Sequence, residues 1–544
     1  MNLIVKQLSS LEKVLDINKI EYKEIDKLNA LLGEQISYQI SACSNESTEL
    51  EFEIVSELKP YIQAYVVKNI IMDFPVYPEN ANTGYLTKEP GYMPDLLIPL
   101  EDQHGTVRSI AGACTIWFTI NVPKNIKGGA YDIEVSIKDK NTPPTLLATK
   151  HMSLNIIEKE LPEQSTIFTQ WLHVDCIASA HNTEIYSARH WELIEAYMKT
   201  ASELGINMIL TPVITPPLDT AIGTSRPCTQ LVKIEKNGSE YHFDFTLLKR
   251  WIELCKKYNM KYYEISHLFS QWGLETAPNI WITENGENKH MFGWHVKSDD
   301  PAYIDFLGQF LPALLKFFEE EGIKDCCRFH LSDEPGIQHV ETYKKLHDIV
   351  KPMLGDCPII DAISDIDFYE HRLIDIPVCA TTHITPFIER NAENYWAYYC
   401  CGQSELVSNR FMAMPSCRNR VIGLQLYKYD IPGFLQWGYN FYNSQFSRYP
   451  INPYITTSTD GAFPSGDPFS VYPGKDGPLL SLRALVFKEA LQDIELCRLL
   501  EKSIGKEAVM QIIEEKAGGE ITFFDYPNTA EFMFEVIDEL KSKL

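Results

Sequence analysis

From Ser165 onward the chain alternates short apolar or aromatic runs with longer amphipathic ones, and this order constrains the fold more than any other feature. Eight runs have the length and character of strands: residues 167–172, 206–210, 261–266, 328–333, 359–363, 378–382, 395–400 and 434–437. Between them, Trp191, Ile194, Met198, Ala201 and Leu204 share one face at helical spacing, Asp244 stands as a cap before 245–258, and Asp300-Pro301 opens a run to Glu321. Only the helices after strands five and six are short and weakly patterned. Eight βα units in this order predict an α/β fold, a (β/α)8 TIM barrel over 165–500 with the 328–334 stretch as its fourth strand.

Before Ser165 the pattern is different. Residues 116–122 are apolar and β-branched, Gly128-Gly129 supplies a turn, and 131–137 alternates apolar with polar side chains; similar runs occur at 50–55, 62–71 and 152–157. Period-two alternation implies one buried face per strand, so residues 1–160 are expected to form an N-terminal β-sandwich domain. The polar stretch 158–164, with Pro162, reads as the boundary. Residues 501–544 are charged and helical apart from 521–526, and read as a C-terminal helical appendage rather than a separate module.

A formal charge of -25 over 544 residues argues against nucleic-acid or anionic-membrane partners, which require a basic face. The opening M-N-L-I-V-K-Q-L-S-S-L-E-K lacks an apolar core of signal-peptide length and no apolar run reaches transmembrane length, so the expected location is the cytoplasm. Thirteen cysteines, with vicinal pairs at Cys326-Cys327 and Cys400-Cys401 and no C-x-x-C, fit reduced thiols better than a disulfide framework or a zinc site. No H-E-x-x-H spacing and no Gly-rich loop after a strand occurs, so neither a metal nor another cofactor is expected.

The fourth strand reads R-F-H-L-S-D-E-P-G from Arg328, an apolar run ending on two adjacent carboxylates, Asp333 and Glu334. Asp, Pro and Gly are ordinary turn residues, and alone the motif reads as a solvated turn. Pro335 cannot donate to a ladder and favours extended geometry in the residue before it, so the strand is expected to end near Glu334 with its acids on the carboxyl rim, where barrel chemistry resides. Long segments read as lacking regular structure follow strands two, three and eight and emerge at the same rim. Aromatic and polar side chains recur there: Trp171 and His173 after strand one, His267 and Trp272 after strand three, His383 after strand six, Tyr399 on strand seven, and Trp437, Tyr439 and Asn440 on strand eight. Singly, each is more often a packing residue. Together they suit a carbohydrate, whose ring faces stack on aromatics while its hydroxyls need a few placed polar groups. Trp294 and the aromatic-rich 440–449 stretch are further candidate walls.

Most glycosidases flank the scissile bond with two carboxyls about 5 to 9.5 Å apart. Strand seven ends Y-Y-C-C-G-Q and offers no acid. Adjacent carboxylates suit instead a substrate-assisted reaction, in which a 2-acetamido oxygen attacks the anomeric carbon to form an oxazoline, one acid orients the amide and the other protonates the leaving oxygen.

The motif H-L-S-D-E-P from His330, with E-I-S-H-L-F-S-Q-W-G from Glu264, L-Q-W-G-Y-N-F-Y-N from Leu435 and G-A-F-P-S-G-D-P from Gly461, resembles the domain of unknown function 4091 family. That family is similar to the catalytic domain of glycoside hydrolase family 123, the β-N-acetylgalactosaminidases. The resemblance covers about 165–500 and implies a preceding sandwich, with Asp333 stabilising the oxazolinium and Glu334 as general acid/base. Two other readings stand beside it: a glycosidase without N-acetyl dependence, pairing Glu334 with a distant acid such as Asp365, Asp460 or Asp467, and a non-catalytic carbohydrate-binding barrel.

Overall fold

The computed structural model describes residues 3–15, 21–44, 46–80, 84–109 and 113–544; residues 1–2, 16–20, 45, 81–83 and 110–112 of the 1–160 segment lie outside the described residues. The N-terminal part forms two five-stranded sheets. One runs Leu3–Ser9, Gln35–Ser44, Ala113–Asn121, Ile62–Met72, Gly91–Pro99, and the other Lys27–Leu32, Leu146–Glu160, Gly129–Asp139, Thr48–Val55, Thr106–Ser109. Alternation decides which side chains meet: Tyr38 and Ile40 from the first sheet and Ile133, Val135 and Ile137 from the second join one apolar cluster.

The second part is an eight-stranded parallel sheet whose barrel strands are β1 (Ile167–Gln170), β2 (Met208–Thr211), β3 (Tyr262–Ile265), β4 (Cys327–Phe329), β5 (Ile360–Ile363), β6 (Ile376–Ala380), β7 (Trp396–Tyr398) and β8 (Gly433–Gln436). Hydrogen bonds link them in the order β4-β3-β2-β1-β8-β7-β6-β5, and a single parallel bridge, Phe329 to Ile359, joins the two ends. The sheet is thus a nearly closed barrel, consistent with the (β/α)8 order. Alternate residues separate into two clusters. Met208, Leu210, Ile360, Val378, Trp396, Tyr398 and Leu435 belong to a small inner one, while Ile209, Cys379, Ala397 and Phe434 pack in the large one that includes the helices. Gly433 is required by this interior, because a Cβ there would lie 2.1 Å from the Trp396 ring.

Helices lie where the 3.6-residue spacing indicates. Ala188–Glu203 buries Trp191, Ile194, Met198 and Ala201, and Ser187 caps it. Asp300 accepts the Ala302 N–H at 2.8 Å and opens Pro301–Glu320. Before Thr246–Lys257 the cap position is held by Phe245, yet Asp244 Oδ1 still accepts the Thr246 N–H at 2.9 Å. Asp367–Glu370 and Thr385–Glu389, after β5 and β6, are short. Past β8 come Leu482–Ile504, Lys506–Ala517 and Ala530–Ser542; from the last, Lys541 Nζ returns to Glu34 Oε1 at 2.6 Å. No helix among the described residues is long and apolar enough to cross a membrane. No disulfide is formed among the described residues.

Three expectations are corrected. β4 ends at Phe329 rather than near Glu334, because the N–H groups of Leu331 and Ser332 turn to the Asp361 carboxylate. Glu334 is not extended before Pro335 but has φ +44°, in the left-handed region. The segments after β2 and β3 are not structureless: Lys233–Asn237, Glu240–Asp244, Ile280–Glu284 and Glu287–Phe292 pair into a four-stranded sheet.

Candidate active site

Beyond β4 the backbone runs on beside the β3 loop without regular pairing: the N–H groups of Leu268, Phe269 and Trp272 reach the carbonyls of His330, Leu331 and Asp333 at 3.0, 2.9 and 2.8 Å. This brings Asp333 and Glu334 into a cleft of about 650 Å³ lined also by Trp171, Asp219, Trp272, Tyr398, Trp437 and Phe463. A left-handed backbone costs a non-glycine residue about 1 kcal/mol or more. At Glu334 it directs successive carboxylates into one cleft instead of to opposite sides of a strand.

Beneath the acids lies a buried charge network. His330 Nε2 is 2.6 Å from Glu264 Oε1 and Nδ1 is 2.9 Å from Asp361 Oδ1, with all three side chains inaccessible to solvent. Burial, the largest single influence, opposes charging of His330, but the hydrogen bonds and charges of Asp361 and Glu264 outweigh it and raise the imidazole to about 9. Burial pushes Asp361 up, opposed by His330 and by a 2.5 Å hydrogen bond from Tyr343. With two backbone N–H groups also donating to it, the ionised form of Asp361 is the one its surroundings satisfy. Glu264 in turn accepts the Trp171 indole N–H at 2.6 Å and the Thr169 hydroxyl at 2.7 Å. One imidazolium therefore ties the strand end bearing the acids to an aromatic lining the cleft.

Both acids are held above the usual carboxylate range. For Asp333 the causes are desolvation, then the charge of Glu334, opposed by His330; for Glu334 desolvation dominates, opposed by the Tyr398 hydroxyl, which donates to Oε1 at 2.6 Å. Asp333 is half-buried, whereas Glu334 is open to solvent at the mouth, so crowding by protein weighs more on Asp333. Among the described residues no hydrogen bond to the Asp333 carboxylate is found. Neighbouring acids of this kind share protons as a pair.

Of the residues read from sequence, Trp171, Trp272 and Trp437 line the cleft with the acids. The others lie elsewhere. His173 is buried behind Trp437, accepting from Arg226 at Nδ1 (3.2 Å) and contacting the Trp437 carbonyl through Nε2 (2.9 Å); burial, then Arg226, pull it down to about 3. Asn440 brackets the His173 backbone at 2.9 and 3.0 Å. Tyr439 donates to the Tyr197 carbonyl, Tyr399 packs against Phe434 and Phe487, and His383 is exposed beside Thr382. His267 stacks on His330 with ring centroids 4.2 Å apart, and among the described residues neither of its nitrogens has a hydrogen-bond partner.

Sequence reading missed Tyr398 and Asp219. Tyr398 is the inward member of the Y-Y pair, since neighbours on a strand face opposite ways. Asp219 enters the cleft from the β2 loop, where burial pushes it up to about 6 against the Phe446 N–H and Arg226. Of the distant acids, Asp467 is fully buried; it accepts the Trp437 indole N–H at 2.9 Å, and desolvation carries it to about 7. Asp460 is bonded to Tyr449. His267, His330 and Asp361 approach one another closely enough to share a metal ion, but the donor set does not fit one. Both nitrogens of His330 are engaged by carboxylates, and the two imidazoles are stacked at 20°, which aims their lone pairs along nearly parallel planes.

Comparison with known proteins bears on the fold and the family. The chain superposes on a family 123 glycoside hydrolase from Clostridium perfringens, a structure concerned with glycolipid glycan hydrolysis, with a TM-score of 0.75 and 17% identity over 100% of this chain and 97% of that one. A family 5 mannosidase from Rhizomucor miehei (11% identity, 61% of this chain and 92% of that one, TM-score 0.31) and a family 2 member from Bacteroides cellulosilyticus (10%, 75% and 44%, TM-score 0.26) are too distant to bear on the fold. No curated protein matches. The family model for the glycoside hydrolase 123 catalytic domain matches residues 171–500, a span that begins at the end of β1 and takes in the other seven barrel strands, and the chain belongs to that family of glycoside hydrolases.

Proposed function

We propose that the protein removes a β-linked 2-acetamido sugar by substrate-assisted, retaining hydrolysis, within a TIM barrel preceded by a β-sandwich. The observation that carries this reading is the Asp333–Glu334 pair: adjacent carboxylates in one cleft, one without a hydrogen-bond donor and the other hydrogen-bonded at the mouth. An acetamido N–H donated to Asp333 supplies the missing donor, holds that carboxylate ionised beside the His330 imidazolium, and leaves the shared proton on Glu334. The amide oxygen then attacks the anomeric carbon while Glu334 protonates the leaving oxygen. With its proton gone, Glu334 deprotonates the water that opens the oxazoline. Trp171, Trp272 and Trp437 provide apolar walls for the sugar ring. A terminal sugar of a glycolipid glycan is the substrate class suggested by the Clostridium perfringens relative.

Asp219 favours a second reading, in which Glu334 works with a carboxylate across the cleft and the acetamido group is dispensable. Hydrolysis of 4-nitrophenyl glycosides with and without the 2-acetamido group separates the two. The substrate-assisted reading expects turnover only with the acetamido sugar and tight inhibition by its thiazoline; equal turnover of the plain glycoside overturns it.

A further inference from the structure

Residues 457–467, in the long connection after β8, contain no regular element, yet they build one side of the cleft. Phe463 lines it, with its ring 5.6 Å from that of Trp437, and Asp467 holds the Trp437 indole. The N-terminal sheets grip this loop. Asp73, one residue past Ile62–Met72, accepts at Oδ1 from the Thr457 N–H (3.0 Å), the Thr457 hydroxyl (2.9 Å) and the Ser465 hydroxyl (3.2 Å), and at Oδ2 from the Ser458 hydroxyl (2.6 Å). The following residues reinforce it: Ser465 N–H donates to the Phe74 carbonyl at 2.7 Å, and the Tyr77 hydroxyl to the Ala462 carbonyl at 3.1 Å. Ser458, so fixed, accepts the Gly461 N–H on its hydroxyl at 2.8 Å and the Phe463 N–H on its carbonyl at 3.0 Å. The backbone of Phe463 is therefore set, at one remove, by a carboxylate of the N-terminal sheets.

The opposite flank is held the same way. Lys13 Nζ, buried, donates to the carbonyls of Met412 and Met414 at 2.8 and 2.7 Å, and the Met412 N–H meets the Ser465 carbonyl at 2.8 Å.

We propose that Asp73 is a positioning residue of the active site, a carboxylate on the N-terminal sheets that fixes the 457–467 loop and through it the Phe463–Trp437 wall. This rests on the cleft of Asp333 and Glu334 being the active site. A wall that touches the sugar ring binds the ground state and the transition state alike, so loosening it raises KM and spares kcat.

The test is a double-mutant cycle on a 4-nitrophenyl 2-acetamido glycoside. Asp73→Ala is expected to raise KM on the order of tenfold, the scale of losing hydrogen bonds to a charged group, with kcat within about threefold of wild type. Asp73→Asn should recover part of the loss, because its amide oxygen still accepts the Thr457 N–H. Phe463→Ala should raise KM similarly, and adding Asp73→Ala to it should add little. Unchanged KM in Asp73→Ala, or two effects that simply multiply, overturns the proposal. Hydrogen exchange of the 457–467 peptide gives a readout independent of turnover, and it should quicken in Asp73→Ala; unaltered protection there also overturns it. Should that variant not fold, Thr457→Val with Ser458→Ala removes two of the four bonds from the loop side, those of the Thr457 and Ser458 hydroxyls, and is judged by the same criteria with a smaller rise in KM. Asp333→Asn run in parallel on the same substrate separates the two levels: full activity in that variant sinks the assignment of the active site, whatever the exchange data say of Asp73.

Discussion

The Tyr398 hydroxyl donates to Glu334 Oε1 at 2.6 Å, so an inward-facing side chain of β7 bears directly on the acid that follows β4. This bond favours the ionised carboxylate and opposes the desolvation that raises Glu334. Removing it in Tyr398→Phe raises the pKa of Glu334 further. A general acid acts while protonated, so the alkaline limb of the kcat/KM profile should move to higher pH. Tyr399→Phe, one residue past β7 and packed against Phe434 and Phe487, should leave the limb in place. A limb that stays put in Tyr398→Phe counts against Glu334 as the acid.

His330 makes stability depend on pH in a defined direction. Its folded-state value, about 9, lies above the ordinary 6.5, so the stabilisation is complete below about 6.5 and is lost as pH rises through 9. The shift corresponds to ~3 kcal/mol at most. Urea denaturation of wild type and His330→Gln should show the wild-type advantage shrinking across that window. A constant gap between about pH 6.5 and 9.5 would falsify the imidazolium assignment.

Asp95, on the Gly91–Pro99 strand, meets Arg483 of the Leu482–Ile504 helix at 2.7 and 2.9 Å, with both side chains buried. Asp95→Ala leaves a buried guanidinium unpaired and should cost about 3–5 kcal/mol in denaturant unfolding. Lys23 and Glu531 form an exposed pair, and Lys23→Ala should give no measurable change. Similar unfolding midpoints for the two variants would mean that the Asp95–Arg483 contact is not buried in solution.

All eight barrel strands were legible because each is an apolar run bounded by turn residues, and every one formed within a few residues of its expected position. What sequence reading missed is mostly long-range. The early end of β4 depends on Asp361, 30 residues beyond Leu331, and period-two alternation cannot foresee a carboxylate arriving from the next strand. The N-terminal strand Gln35–Ser44 is buried at every position, yet its sequence alternates Ile36, Tyr38, Ile40 and Ala42 with Ser37, Gln39 and Ser41, a period-two signal that was there to read and was passed over. At the site, Trp171, Trp272 and Trp437 were readable as aromatics at strand ends, but the choice between Tyr398 and Tyr399 needs the register of β7. Asp219 lies in an irregular loop, where neither period applies.

The roles proposed for the two acids differ in their kinetic signatures. With Glu334→Gln, a substrate whose leaving group needs no protonation should retain much of its oxazoline-forming rate, whereas a natural glycoside should lose roughly 10²- to 10⁴-fold, the usual worth of general acid catalysis. With Asp333→Asn both substrates should suffer, because both require the acetamido oxygen to attack. The pair also titrates together, since the charge of Glu334 is one cause of the raised Asp333. Neutralising Glu334 therefore removes a like charge and lets Asp333 ionise at lower pH, so the acid limb measured with an activated substrate should move down in Glu334→Gln. Equal losses on activated and natural substrates in Glu334→Gln, with Asp333→Asn still active, would reverse the two roles or remove substrate assistance from the reaction.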